Sequence, residues 1–185
     1  VPSNSADGRS LVEIVANRRS QPEVTDEAPT HEQLLPLVAA AGRVADHGSL
    51  RPWRLIELRG EARERLGAAI SKANGDSKPS TKPLRASLLI AVVATVKKDR
   101  KIHAWEQEAV ASGVAHMLSL LLESEGWGVF WRTGEYTRSK AVRKAHKLAK
   151  NEELLGWLYV GGINPRKNKG PVRRSIDPEK FLSEL

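Results

Sequence analysis

Three short clusters in this chain combine residue types that can do more than pack. Arg18 and Arg19 precede Ser20, and two guanidiniums beside a hydroxyl can hold a phosphate monoester through charge-assisted, bidentate bonds. The same arginines would equally complement the negative end of a helix dipole. Arg43 and His47 stand four residues apart at the end of a second helical pattern. They can share a face and offer donor groups to an electron-poor ring carbonyl, or they can simply solvate a helix end. Trp131-Arg132-Thr133 leaves a strand-like segment, and Arg51-Pro52-Trp53-Arg54 enters another. A tryptophan at a strand edge is ordinarily core, and only the combination of clusters argues for more.

Other chemistries fail on inspection. Gly126-Trp127-Gly128 begins like a dinucleotide fingerprint, but Trp131 stands where the third glycine belongs and a strand follows instead of a helix. Gly156 to Gly161 has the spacing of a phosphate loop, with Gly162 in place of its lysine. There is no Gly-x-Ser-x-Gly elbow. His31, His47, His103, His116 and His146 lie 13 or more residues apart, so no metal-ligand spacing emerges. Zero cysteines exclude disulfides, a thiolate nucleophile and cysteine-ligated clusters. Neither a metal nor a side-chain nucleophile or general base is expected.

The elements that must position these groups follow from periodicity and capping. Ser10 with Glu13 and Thr30 with Gln33 read as capping boxes opening two helices. Trp53 to Leu58 reads as a strand, Glu61 to Lys72 as a helix, and Asn74 to Ser87 as a loop. Leu88 to Thr95 is apolar on both faces and marks a central strand. The helix from Ala104 to Glu125 is apolar around much of its circumference, so it must be buried or shared with a second subunit. Trp127 to Arg132 reads as a strand, Ser139 to Ala149 as a basic helix, and Leu154 to Val160 as a last strand. Asp177-Pro178 starts a short helix whose Phe181, Leu182 and Leu185 read as docking residues. The alternation alone suggests a doubly wound α/β fold, although nothing in it dictates strand direction.

A chain of 185 residues fits one domain: a flexible stretch 1–9, a domain 10–162 and a basic extension 163–185. Its longest nearly uncharged apolar run, Leu88 to Val96, is about half of the ~20 residues needed to cross a bilayer. Val1 to Arg9 shows no apolar leader, and together with the missing cysteines this reads as cytoplasmic. Net charge is +8, of which +7 falls from Arg138 onward. A nucleic-acid-binding module is the alternative that this basicity raises, but the aromatics sit in apolar contexts and are not interleaved with the cations.

Taken in order, the clusters resemble the nitroreductase family. The resemblance is carried by Arg18-Arg19-Ser20, Ala28-Pro29-Thr30 and His47 through Arg54. It continues in Trp105-Glu106-Gln107-Glu108 with Ser112-Gly113, in Gly128 through Gly134, and in Leu158-Tyr159-Val160-Gly161. It implies an α+β fold around a mixed, mainly antiparallel sheet, and a homodimer with FMN at its interface. By that resemblance Arg18, Arg19 and Ser20 would hold the FMN phosphate and ribityl chain. Arg43 and His47 would approach the flavin from the partner subunit, and Trp131, Arg132 and Thr133 would complete the pocket. Leu121, Leu122, Glu123, Ser124, Glu125 and Gly126 would meet the nicotinamide nucleotide. The implied activity passes a hydride from NAD(P)H through FMN to a nitroaromatic, quinone or similar acceptor; a flavin-binding protein of the same fold without turnover is the alternative. Ser49 and Arg51 depart from the Asn and Gln common in the family.

Overall fold

The computed structural model describes residues 10–164 and 176–184. Its helices are α1 (Leu11–Asn17), α2 (His31–Ala41), α3 (Glu61–Asn74), α4 (Ala104–Ser124) and α5 (Lys140–Ala145). Its strands are β1 (Trp53–Leu58), β2 (Leu88–Thr95), β3 (Trp127–Arg132) and β4 (Glu152–Gly162). They form one sheet in the order β1-β2-β4-β3, antiparallel at every pairing among the described residues. The α+β architecture implied by the resemblance therefore holds, and the doubly wound reading of the element string does not. Helices α3 and α5 each lead to an adjacent antiparallel strand, whereas α4 carries the chain from β2 across β4 to β3, which runs in the same direction as β2.

Strand β2 shows why the sheet is covered on both sides. Leu88, Ile90 and Val92 join a cluster with Leu34, Val114, Leu118, Leu122 and Val129 beneath α2 and α4. Leu89, Ala91 and Val93 alternate into a second cluster with Leu66, Ile70, Val142 and Trp157 beneath α3 and α5. With period-two alternation, two apolar faces require a continuous apolar run. Both predicted capping boxes are formed: Ser10 and Glu13 bond reciprocally at the start of α1, as do Thr30 and Gln33 at α2.

Two buried polar groups beside the sheet, Glu152 and His146, are paired into compact networks. Glu152 takes Arg54 through two bonds of 2.5 and 2.8 Å and also accepts the Ala149 N–H at 2.9 Å. The Arg54 guanidinium holds the Glu152 carboxyl down to about 2. His146 donates from Nδ1 to the Val142 carbonyl at 2.8 Å and accepts the Trp157 indole N–H at Nε2, 2.9 Å away. Burial pushes the His146 pKa down, consistent with a neutral ring.

Two boundaries differ from the sequence reading. Helix α5 stops at Ala145, because the chain turns through a positive φ of 52° at Lys147; β4 then starts at Glu152 and runs to Gly162. In the tail, Asp177 and Pro178 start only a three-residue turn, Pro178–Lys180. Phe181 and Leu182 stay 81% and 80% exposed, so they do not dock on their own chain, whose sheet faces are already covered. Leu185 lies outside the described residues.

Candidate functional site

The chain leaves α1 at Arg18 and runs along the open edge of β3. The Gln21 N–H donates to the Val129 carbonyl at 2.9 Å, and the Thr25 N–H to the Gly162 carbonyl at 2.9 Å. The segment can lie this close because Gly161 has no side chain; a Cβ there would fall 2.5 Å from the Thr25 oxygen. The direction of travel, from Val129 toward Gly162, places Arg18, Arg19 and Ser20 toward the Trp131–Arg132 end of the edge. Arg18 Nη1 lies 3.5 Å from Ser20 Oγ. The Arg19 N–H donates to Glu123 Oε1 at 2.8 Å, which ties the cluster to the C-terminal end of α4.

Arg132 projects from β3 to the opposite face from Trp131, as strand alternation requires. Its guanidinium carbon lies 4.4 Å from the Phe130 ring centroid and 5.2 Å from that of Tyr159. No carboxylate pairs with it among the described residues, and its Nε is buried without a hydrogen-bond partner. Burial raises the neighbouring Tyr159 phenol to about 12, so it remains a neutral donor. Trp131 packs against the His116 ring of α4, with centroids 5.0 Å apart. Exposed Thr133 follows the strand.

Arg43 and His47 lie elsewhere in the protomer. Both are exposed on the connection after α2, and His47 Nδ1 is 3.2 Å from Glu106 Oε2 in the first turn of α4. The Glu106 carboxyl is held below its ordinary value by the His103 N–H first and by His47 second. Val44, Asp46 and His47 face Trp105, Glu106 and Gly113 across an open groove. Downstream, Gly48, Ser49 and Arg51 all have positive φ, of 67°, 52° and 47°. Strain of this kind persists only where neighbours over-determine it. Here the clamps are Asp46 Oδ2 on the Arg51 N–H at 2.7 Å and Lys97 Nζ on the Leu50 carbonyl at 2.5 Å.

The structure thus gathers Arg18, Arg19 and Ser20 with Glu123 along one flank, with Arg132 on the adjoining strand, and puts Arg43 and His47 at the far end of α4. Glu106 and Glu123 are seventeen positions apart on that helix, roughly 25 Å at 1.5 Å per residue. Of the segment 121–126, Leu122 is fully buried in the core. Ser124 Oγ donates back to the Leu121 carbonyl at 2.8 Å, the Glu125 N–H bonds the same carbonyl, and the Gly126 N–H closes on Glu123 at a φ of 85°. Glu106, Asp46 and Lys97 were not singled out for a role by sequence reasoning. The signal for Glu106 is His103 three residues before it, which forms a capping box at the start of α4.

Comparison with known proteins identifies the family. The model of the nitroreductase family matches residues 15–162. "Putative NAD(P)H nitroreductase YdjA" of Escherichia coli strain K12 is 35% identical over 180 residues, covering 93% of this chain and 97% of that protein. A nitroreductase-like family protein from Bacillus cereus superposes with a TM-score of 0.83 at 21% identity, covering 98% of both chains. The FMN and NADPH-dependent nitroreductase NfnB from sphigopyxis sp. strain HMH gives a TM-score of 0.78 at 18% identity, covering 96% of this chain and 99% of that one. The chain belongs to the nitroreductase family and is an NAD(P)H-dependent oxidoreductase of that type. Among the described residues no helix is long and apolar enough to cross a membrane, and no cluster of side chains could hold a metal ion.

Proposed function

We propose that two copies of this chain form two FMN sites, each built from the Arg18–Ser20 flank of one protomer and the His47 turn of the other. The observation that carries the reading is the surface between the two half-sites. Along α4, Trp105, Ala109, Ser112, Gly113, His116 and Leu120 follow one another at helical spacing. Trp105 is 69% exposed, and Ala109 and His116 are also exposed. Leu11, Val12 and Val15 of α1 add exposed apolar surface. An apolar helix face left open in this way marks an interface. A two-fold axis crossing α4 near Gly113 and His116 brings the Glu106 end of one helix to the Glu123 end of the other, and the half-sites meet.

The residues fit the cofactor. Arg132, cationic and with its buried Nε unpartnered, is short of an acceptor, and a phosphate dianion supplies one. With Arg18, Arg19 and Ser20 it makes a set of charge-assisted donors. Trp131, on the other face of β3 beside His116, and Thr133 just beyond the strand complete the pocket. His47, its Nδ1 proton directed at Glu106, turns Nε2 outward toward the ring system, and Arg43 adds positive charge there. Domain 10–162 is the cofactor-binding unit in this reading, and 121–126 is the segment nearest the nicotinamide, where Leu122 serves packing. FMN, when bound, supplies hydride acceptance from NAD(P)H and electron transfer to a nitroaromatic, quinone or similar acceptor. This chain's side chains bind, orient and exclude water; donor and acceptor share one open face in turn, and the kinetics are ping-pong. The location is cytoplasmic.

Reconstitution tests the reading. The purified protein should take up FMN, bleach with NADPH or NADH and recover its colour with a nitroaromatic or quinone. Failure to bind flavin contradicts the proposal. Flavin bound without turnover leaves a binding protein of the same fold.

A further inference from the structure

We propose that the His47 turn and the loop behind it form a cationic rim that selects an anionic group, a phosphate or carboxylate, on the second substrate. The inference rests on the flavin reading and extends it to substrate class. The loop from Lys97 to Ile102 embraces the turn. Lys97 Nζ holds the Leu50 carbonyl at 2.5 Å, and Ile102 packs so closely that a Cβ on Gly48 would fall 2.9 Å from its Cδ1.

The carboxylates of this region are engaged by local hydrogen bonds. Asp46 Oδ2 is engaged by the Arg51 N–H. Asp99 Oδ1 accepts the Lys101 and Ile102 N–H groups at 2.7 and 3.0 Å. Glu106 is engaged by His47 and by the His103 N–H at 2.9 Å. The cations face outward. Arg43, Arg51, Lys98, Arg100 and Lys101 are all exposed, and no carboxylate pairs with any of them among the described residues. Beside this rim the groove keeps apolar Val44 and Val110, while its Trp105 and Ala109 belong to the α4 face assigned above to contact with the partner protomer. An apolar wall bounded by unpaired cations suits a planar aromatic body carrying a negative group. The anion belongs either to the acceptor, as an aromatic carboxylate, or to the nucleotide, as the extra phosphate of NADPH.

The test uses the FMN-loaded dimer and the triple variant Lys98→Gln/Arg100→Gln/Lys101→Gln, whose substitutions are all at exposed positions. Binding of NADP+ against NAD+ is measured by calorimetry, and KM for nitrobenzoate against nitrobenzamide by steady-state turnover, each at low and high salt. In at least one pair the member with the additional negative group is preferred at low salt, and the triple variant or high salt reduces that preference about tenfold, since exposed charges are screened beyond about 10 Å at 0.1 M. Which pair responds identifies the source of the anion, and flavin content stays constant. Equal binding of NADP+ and NAD+ together with equal KM for nitrobenzoate and nitrobenzamide overturns the proposal, as does a preference that survives both salt and the triple variant. A chain that takes up no flavin overturns the flavin reading instead, and the calorimetric arm still reads the rim.

Discussion

His47 Nδ1 and Glu106 Oε2 meet at 3.2 Å, joining the connection after α2 to the first turn of the longest helix. With Glu106 ionised, Nδ1 carries the donated proton and Nε2 is left facing outward. Glu106→Gln keeps an amide oxygen for the His103 N–H but removes the anionic acceptor. Its thermal midpoint should stay near that of the parent while FMN retention weakens. Combined with His47→Ala, the two losses should be less than additive, because they remove one interaction. Fully additive losses in a double-mutant cycle, read by flavin titration, would show that the pair is not coupled.

Arg18→Ala and Arg19→Ala should each weaken FMN binding through loss of a charge-assisted phosphate contact of about 1.5–3 kcal/mol, or roughly ten- to a hundredfold in Kd. Riboflavin, which has no phosphate, should bind the variants and the parent alike. Equal FMN affinity in the double variant refutes the phosphate assignment.

Much of this site was legible in the sequence because its parts are local. Ser10 with Glu13 and Thr30 with Gln33 are capping boxes within one turn, and both form. Leu88 to Thr95 is apolar at every position but the last, and only a strand covered on both faces needs that. Strand direction was not legible, because an alternating helix–strand string fits either sense until pairing is known. Nor were the clamps on the His47 turn: Asp46 and Lys97 act on backbone groups across the fold, and such contacts leave no spacing to read. The tail misled because Asp177-Pro178 is a sound start signal for a helix that ends after one turn. Phe181 and Leu182 have the composition of docking residues without a surface on their own chain.

Gly161→Ala tests whether the sheet holds the segment that follows the arginine cluster. The new methyl group would sit 2.5 Å from the Thr25 carbonyl oxygen and 2.8 Å from Val24, and backbone cannot yield cheaply. We expect a loss of about 1–3 kcal/mol, the usual range for overpacking, together with weaker FMN binding as residues 18–25 shift. Denaturant unfolding and flavin titration on the same sample measure both. A stable variant with parental flavin affinity would show that this contact does not position the cluster.

The pH dependence of stability follows from His146 and Glu152. Both have folded pKa values below their ordinary ones, so the unfolded chain binds more protons and stability falls as pH falls. The His146 contribution is complete above its ordinary value of 6.5 and is lost as pH drops below it. The Glu152 contribution is complete above 4.5 and is lost between there and about 2. Denaturant midpoints should therefore decline in two stages on acidification. His146→Leu should remove the first stage and cost about 1–3 kcal/mol at neutral pH, because the buried Trp157 N–H loses its acceptor. An unchanged pH profile in that variant would contradict the assignment.

The account turns on one flavin site assembled from two chains, and sedimentation velocity followed at the long-wavelength flavin absorption band measures this directly. The FMN-loaded protein should show the flavin moving with a dimer at one flavin per chain, and Met117→Arg, at the edge of the exposed α4 surface, should release monomer and flavin together. Flavin sedimenting stoichiometrically with a folded monomer would contradict the shared site.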